Sequence, residues 1–216
     1  MFTRVLPAVI AENQEELDRM LRRLHSNVEW VMLDFMDGRF VPSTSLMFNV
    51  KLLTGLRYEA HLMVKEPLSQ LEKLLGKVEA VIIQVESDGI SEALKKARAL
   101  GFEVSAAINP GTPIEALEAH IDELDRVLVM TVEPGRYGAP FVSVTLETVK
   151  RLRKLAPKLP IEVDGAMNPE NAKLARVAGA NIFASGSYLM KSDNFPSALI
   201  TLEEAIKFVH QRARNK

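Results

Sequence analysis

A chain of 216 residues, 47% of them hydrophobic, can bury one substantial core, and its length suits a compact α/β barrel. The formal net charge of -1, with Lys and Arg scattered, leaves no basic stripe for a nucleic-acid backbone or an anionic membrane, so small molecules are the expected partners. The absence of Cys excludes a disulfide framework, thiolate metal sites and a cysteine nucleophile, so any metal must be held by His and carboxylates.

The N-terminus, Met1-Phe2-Thr3-Arg4-Val5-Leu6-Pro7, lacks the apolar core of a secretory signal. No apolar run reaches the roughly 18 residues of a membrane span, and a soluble cytoplasmic protein is expected. From there, short apolar, β-branched runs alternate with patterns of helical period. Strands are predicted over residues 5–10, 30–34, 58–63, 80–86, 103–108, 126–131, 161–164 and 182–185. A helix is predicted after each, over 14–25, 49–56, 67–75, 91–100, 113–121, 143–155, 169–178 and 196–211. In Thr112-Pro113-Ile114-Glu115 the Thr can cap and Pro suits a first turn; Asn168-Pro169-Glu170 opens the same way.

Near-continuous apolar strands, each followed by a helix, predict a parallel sheet covered by helices. Eight such units in this length predict a single (β/α)₈ TIM barrel, one domain over residues 1–216. An open doubly wound sheet is the alternative fold, but Ala11-Glu12-Asn13-Gln14 after the first strand has none of the glycines that dinucleotide binding needs there.

In a barrel the strand C-termini share one face, so the residues ending the strands become the walls of one pocket. Here they are Asp34, His61, Gln84, Glu86, Asn109, Glu133 and Asp164. Asp34, His61 and Asp164 make a donor set of one imidazole and two carboxylates, as catalytic Zn²⁺, Mn²⁺ or Fe²⁺ sites use. The same residues also fit a hydrogen-bonded structural histidine and turn-forming aspartates. Glycine-bearing turns follow three late strands, at Gly135 and Gly138, at Gly165, and at Gly186-Ser187; turns of that kind present backbone N–H groups to an anion such as phosphate. His25, His120 and His210 fall in helical patterns and read as surface or packing residues.

The segments Leu33-Asp34-Phe35-Met36-Asp37-Gly38-Arg39-Phe40-Val41-Pro42, Ala60-His61-Leu62-Met63-Val64, Val129-Met130-Thr131-Val132-Glu133-Pro134-Gly135 and Glu162-Val163-Asp164-Gly165 resemble the signatures of ribulose-phosphate 3-epimerases. That family is a (β/α)₈ barrel that interconverts ketose phosphates by moving a proton at C3, usually with a divalent metal. The resemblance implies that Asp34 and Asp164 are the acid/base pair, and that Asp34, His61 and Asp164 are ligands of a Zn, Mn or Fe ion. It also implies that Met36, Met63 and Met130 line the site and that Gly165, Gly186 and Ser187 bind phosphate.

The chain departs from the family pattern at several positions. Met32 stands where a metal-binding His is usual, Ala8 replaces a serine, and Gln84 or Val85 falls where a histidine is usual. Tyr137-Gly138-Ala139 replaces Gly-Gly-Gln, and Ala166 replaces a glycine. The expected activity is epimerisation of D-ribulose 5-phosphate to D-xylulose 5-phosphate. The alternatives are a hexulose 6-phosphate 3-epimerase and a non-catalytic phosphosugar-binding barrel that has lost its metal. A homo-oligomer is expected, since exposed apolar positions on barrel ends commonly support symmetric association.

Overall fold

A computed structural model describes residues 2–207. The last part of the helix expected over 196–211, and His210 with it, lie outside the described residues. The chain forms strands β1 (Arg4–Val9), β2 (Trp30–Asp37), β3 (Thr44–Ser45), β4 (Arg57–Met63), β5 (Ala80–Gln84), β6 (Glu103–Ile108), β7 (Arg126–Met130), β8 (Ile161–Asp164) and β9 (Ile182–Ser185). Helices are α1 (Gln14–Leu24), α2 (Leu68–Leu74), α3 (Ile90–Ala99), α4 (Glu115–Glu118), α5 (Thr145–Leu155), α6 (Pro169–Ala178), α7 (Ser187–Met190) and α8 (Phe195–Lys207). Eight strands pair in parallel in the order β1-β9-β8-β7-β6-β5-β4-β2, and β2 returns to β1, so the sheet closes into the expected (β/α)₈ barrel and the open-sheet alternative falls.

Local chemistry explains the regular parts. In α1, the Asn13 side chain accepts the N–H of Glu16, acids occupy the first turn and Arg22 and Arg23 the last, and Leu17, Leu21 and Leu24 turn one apolar stripe to the sheet. The cap expected at Asn168 also forms, its side chain accepting the N–H of Asn171 with Pro169 in the first turn.

Three expectations fail. The helix predicted over 49–56 is irregular, because its backbone groups are taken by side chains: Gln14 clamps Lys51 through both its N–H and C=O, and Tyr58 Oη donates to Leu53 O. The helix predicted over 113–121 shrinks to the four residues of α4 and a 3₁₀ turn, with no side-chain cap at its start. Finally, β2 runs past Asp34 to Asp37, where its last residues pair antiparallel with β3, so Asp34 lies inside its strand instead of ending it.

Two cores follow from strand alternation. One lies between sheet and helices; the other fills the barrel with Leu6, Ala8, Met32, Ile82, Leu128 and Ile182 among others. Within the barrel, and two residues below His61 and Asp164 on their own strands, sit Glu59 and Glu162, both with no exposed surface. Between them Arg126 places Nη1 2.7 Å from Glu59 Oε2 and 2.9 Å from Glu162 Oε2. One guanidinium cannot fully compensate two buried carboxylates, and burial together with the charge of Glu59 raises the pKa of Glu162 well above its usual value.

A buried ion triad of this kind is costly to break and cheap to replace as a whole. Arg126→Met leaves two carboxylates buried without a counter-charge and is expected to lose about 3–5 kcal/mol of folding stability. The triple replacement Glu59→Leu, Arg126→Met, Glu162→Leu should recover most of that loss. Guanidinium denaturation of both variants checks the pair of expectations, and a single variant as stable as the parent would contradict them.

Candidate active site

Strand register builds the centre. Asp34 on β2 is in direct register with His61 on the neighbouring β4, and Asp164 on β8 reaches them from across the barrel. His61 Nδ1 lies 3.2 Å from Asp34 Oδ1 and 3.7 Å from Asp164 Oδ2. All three residues are buried, and one donor atom from each falls within 4.8 Å of the others.

The other ring nitrogen of His61 is spoken for. Gln84 Oε1 accepts from His61 Nε2 at 3.2 Å, while the Gln84 amide nitrogen donates to Ala107 O and to Glu86 Oε2. This orientation satisfies every partner, and it assigns the ring proton to Nε2. The Nδ1 lone pair then faces two carboxylates in a dry setting, an arrangement that repels itself unless a cation or a proton sits among the three groups. The donor set fits a divalent metal with positions left for water or substrate.

Without metal, protons meet that demand. Burial raises the Asp164 carboxyl, the nearby charge of Asp34 raises it further, and His61 only partly opposes them, so its pKa is pushed up to about 7. Burial alone would lower the His61 pKa; hydrogen bonding and charge from Asp34, with the charge of Asp164, outweigh it and the net shift is upward.

A cavity of about 440 Å³, counted to its open mouth, stands over this centre. Asp34, Asp164, Met36, Met63, Met130, Gly135, Gly138, Gly165, Gly186 and Ser187 all line it, so the structure gathers the pocket residues expected from sequence, with His61 buried directly beneath. At Gly165 the backbone adopts φ 113°, and a side chain there would strike Val132, which accounts for glycine after the aspartate. Ala166 takes a left-handed φ of 52° although it is not glycine.

Glu86, Asn109 and Glu133 are not among the lining residues. The Glu86 carboxylate instead accepts the Asn109 N–H at 2.9 Å, fixing the loop behind Gln84, and Glu133 is exposed to solvent. Met32 is fully buried among the barrel-filling side chains, in register with Ala8 and Glu59. His25 packs by Gly55 and bonds Thr54 O, and His120 is half-buried at the start of the 3₁₀ turn; neither approaches the cavity.

Sequence reasoning missed two groups. Tyr137, which the sequence marks only as a departure from the family loop, covers part of the cavity, and Arg136 beside it is the one cation among the lining residues. A large aromatic in a glycine-rich turn was the available signal. The function of Gln84 as the clamp on His61 was missed as well, since its partner lies 23 residues away.

The fold and the site together define a (β/α)₈ barrel with a two-carboxylate, one-imidazole centre at its C-terminal mouth, where barrel enzymes carry their chemistry. Residues 4–190 match the sequence profile of the ribulose-phosphate 3 epimerase family. The chain is 31% identical over 213 residues to the cytoplasmic isoform of ribulose-phosphate 3-epimerase from Oryza sativa, covering 94% of this chain and 92% of that protein. It is 32% identical over 200 residues to ribulose-phosphate 3-epimerase from Rhodobacter capsulatus, covering 87% and 86%. Among solved structures, KGPDC from Streptococcus mutans superposes with a TM-score of 0.69 at 10% identity, covering 96% of this chain and 98% of that one, a likeness of fold alone. The chain belongs to the ribulose-phosphate 3-epimerase family.

The raised pKa of Asp164 gives a pH dependence of defined sign. Between its unfolded value of 3.8 and about 7 the metal-free native state holds a proton that the unfolded chain has released, so stability conferred in acid is lost as pH rises through 7. The upward shifts of His61 and Glu162 act in the same direction. Thermal unfolding of metal-free protein at pH 5 and pH 8 should show a larger drop for the parent than for Asp164→Asn; equal drops would remove Asp164 as a source.

Proposed function

We propose that the protein epimerises C3 of a ketose phosphate, converting D-ribulose 5-phosphate to D-xylulose 5-phosphate. The observation that carries this reading is the convergence of Asp34, from β2, and Asp164, from β8, on one buried imidazole at the floor of a single cavity. Family membership and relatives named as ribulose-phosphate 3-epimerases support the same activity.

One aspartate takes the C3 proton while the C–H electron pair moves toward the neighbouring carbonyl, making an enediolate; the other returns a proton to the opposite face. Each turnover leaves the protonation of the two carboxyls exchanged, so protons from solvent enter the product. A divalent Zn, Mn or Fe ion held by Asp34, His61 and Asp164 would supply positive charge against the negative charge building on the substrate oxygens, worth several kcal/mol. Gln84 keeps the His61 proton on Nε2, which leaves Nδ1 free to bind the ion. Met36, Met63 and Met130 cover the reacting carbon with polarizable, water-excluding surface. The turns at Gly165 and Gly186-Ser187 receive the phosphate, with Gly135 and Gly138 in the loop that covers it.

Self-association belongs to this reading, supported by Leu174 and Val177 on α6 and Ile200 on α8, neighbouring helices that leave these side chains exposed. Among the described residues no helix is long and apolar enough to cross a membrane; a cytoplasmic site of action is supported by the likeness to a cytoplasmic isoform.

Two experiments test the proposal. In D₂O with added Zn²⁺, Mn²⁺ or Fe²⁺, ribulose 5-phosphate should gain deuterium at C3, and Asp34→Asn or Asp164→Asn should slow exchange by at least about 10²-fold. No exchange with any of the three metals would falsify turnover of this substrate. Met32→His should tighten metal binding by about 10- to 100-fold, read as a dissociation constant by competition with a chromogenic chelator; an unchanged constant would mean that residue 32 cannot reach the ion.

A further inference from the structure

The loop after β7 carries a side chain that bridges the mouth of the cavity. Tyr137 Oη donates to Ala8 O at 2.5 Å and accepts from Ile10 N at 3.1 Å, so the hydroxyl is tied to the end of β1 through both functions. The ring crosses to the turn after β9: a Cβ placed on Gly186 would lie 2.5 Å from Tyr137 Cε1 and 2.9 Å from Cδ1. The phenol thus reaches from the end of β1 to the Gly186-Ser187 turn, and its neighbours Ala8, Ile10 and Gly186 all line the same cavity as Asp34 and Asp164. A bulkier residue at 186 would compete for the space the ring occupies.

A ring fixed at its hydroxyl end and stacked on a glycine is a rigid wall, unlike the adjacent Arg136, which makes no hydrogen bond or ion pair among the described residues. The wall stands on the side of the cavity that carries the anion-binding turn. Tyr137 lines the same cavity as Asp34, Asp164, Gly186 and Ser187, so a ligand reaching from the two carboxylates to residues 186–187 would lie against its ring.

We propose that Tyr137 is a specificity-determining residue that sets the length of the cavity, admitting a five-carbon ketose phosphate and rejecting a six-carbon one. The inference rests on the epimerase reading, but it makes a claim about binding that can fail separately. Ring and hydroxyl have distinct effects: the ring fixes length, and the hydroxyl fixes the loop. The six-carbon ligand is longer by one CHOH unit, and one extra carbon against a rigid wall is worth about 10- to 200-fold in discrimination.

The test compares the binding of xylitol 5-phosphate and sorbitol 6-phosphate, neither of which can be epimerised, by calorimetry on the parent, Tyr137→Ala, Tyr137→Leu and Tyr137→Phe. The parent should prefer the five-carbon ligand, and the Ala and Leu variants should lower that preference at least about 10-fold. The Phe variant should weaken both ligands alike and leave the ratio unchanged. With substrates, the Ala variant should raise KM for ribulose 5-phosphate more than it lowers kcat, because the ring meets the phosphate end of the ligand. A binding ratio that stays within about twofold of the parent in both Ala and Leu variants, with unfolding temperature and metal affinity intact, overturns the proposal whether or not the parent turns over ribulose 5-phosphate.

Discussion

The ion triad of Arg126 with Glu59 and Glu162 fixes a dimension that the backbone does not. Hydrogen bonds in a closed parallel sheet set the spacing of neighbouring strands, but β4 and β8 lie on opposite sides of the ring, four strands apart either way. The distance across the barrel is set by what fills it. Two residues above Glu59 and Glu162 on these strands stand His61 and Asp164, whose Nδ1 and Oδ2 approach to 3.7 Å, near enough for one ion to be held between them. A short, charged span directly beneath them holds the strands at the width that this approach requires. Its geometry is incomplete: Glu162 Oε2 is 2.9 Å from Nη1 yet off the N–H direction, and Glu59 Oε1 and Arg126 Nε have no hydrogen-bond partner among the described residues. The span therefore contributes more to placement than to net stability.

That layer also sharpens the electrostatics above it. Glu59 adds to the forces that keep a proton on Asp164, so the centre is built to hold positive charge in one form or another. The replacement at position 32 fits the same scheme. Met32 faces the barrel interior among Leu6, Ala8 and Leu128, where a thioether packs without an unpaired polar atom. An ion held by Asp34, His61 and Asp164 would have three protein donors and more room for solvent or substrate oxygen than a four-ligand centre would give.

Much of this was legible in the sequence because it depends on local pattern. Apolar runs of strand length, punctuated by helices with capping residues such as Asn168, specify the barrel, and a fixed barrel in turn places Asp34, His61 and Asp164 on one rim. Most of the failures come from contacts that local pattern does not encode. Residues 49–56 carry helical periodicity but surrender their backbone to Gln14 and Tyr58. Tyr137 finds its partners 127 and 129 residues away, and no spacing rule reveals that a loop aromatic will bond to the end of the first strand. Glu86 and Asn109 follow strand ends, yet the Glu86 carboxylate accepts the Asn109 backbone N–H and neither residue lines the cavity.

Trp30, the chain's sole tryptophan, begins β2 at the end of the barrel opposite the cavity, with the guanidiniums of Arg4 and Arg57 over its indole at 4.7 and 4.1 Å. The fluorophore and the ligand mouth are thus at opposite poles of the protein. Indole emission will register collapse of the whole scaffold while staying blind to events around residues 133–140, and a flat optical titration with a sugar phosphate says nothing about occupancy. A reporter for that mouth has to be introduced there, and the lack of any native thiol leaves a single engineered cysteine free of competing labelling sites.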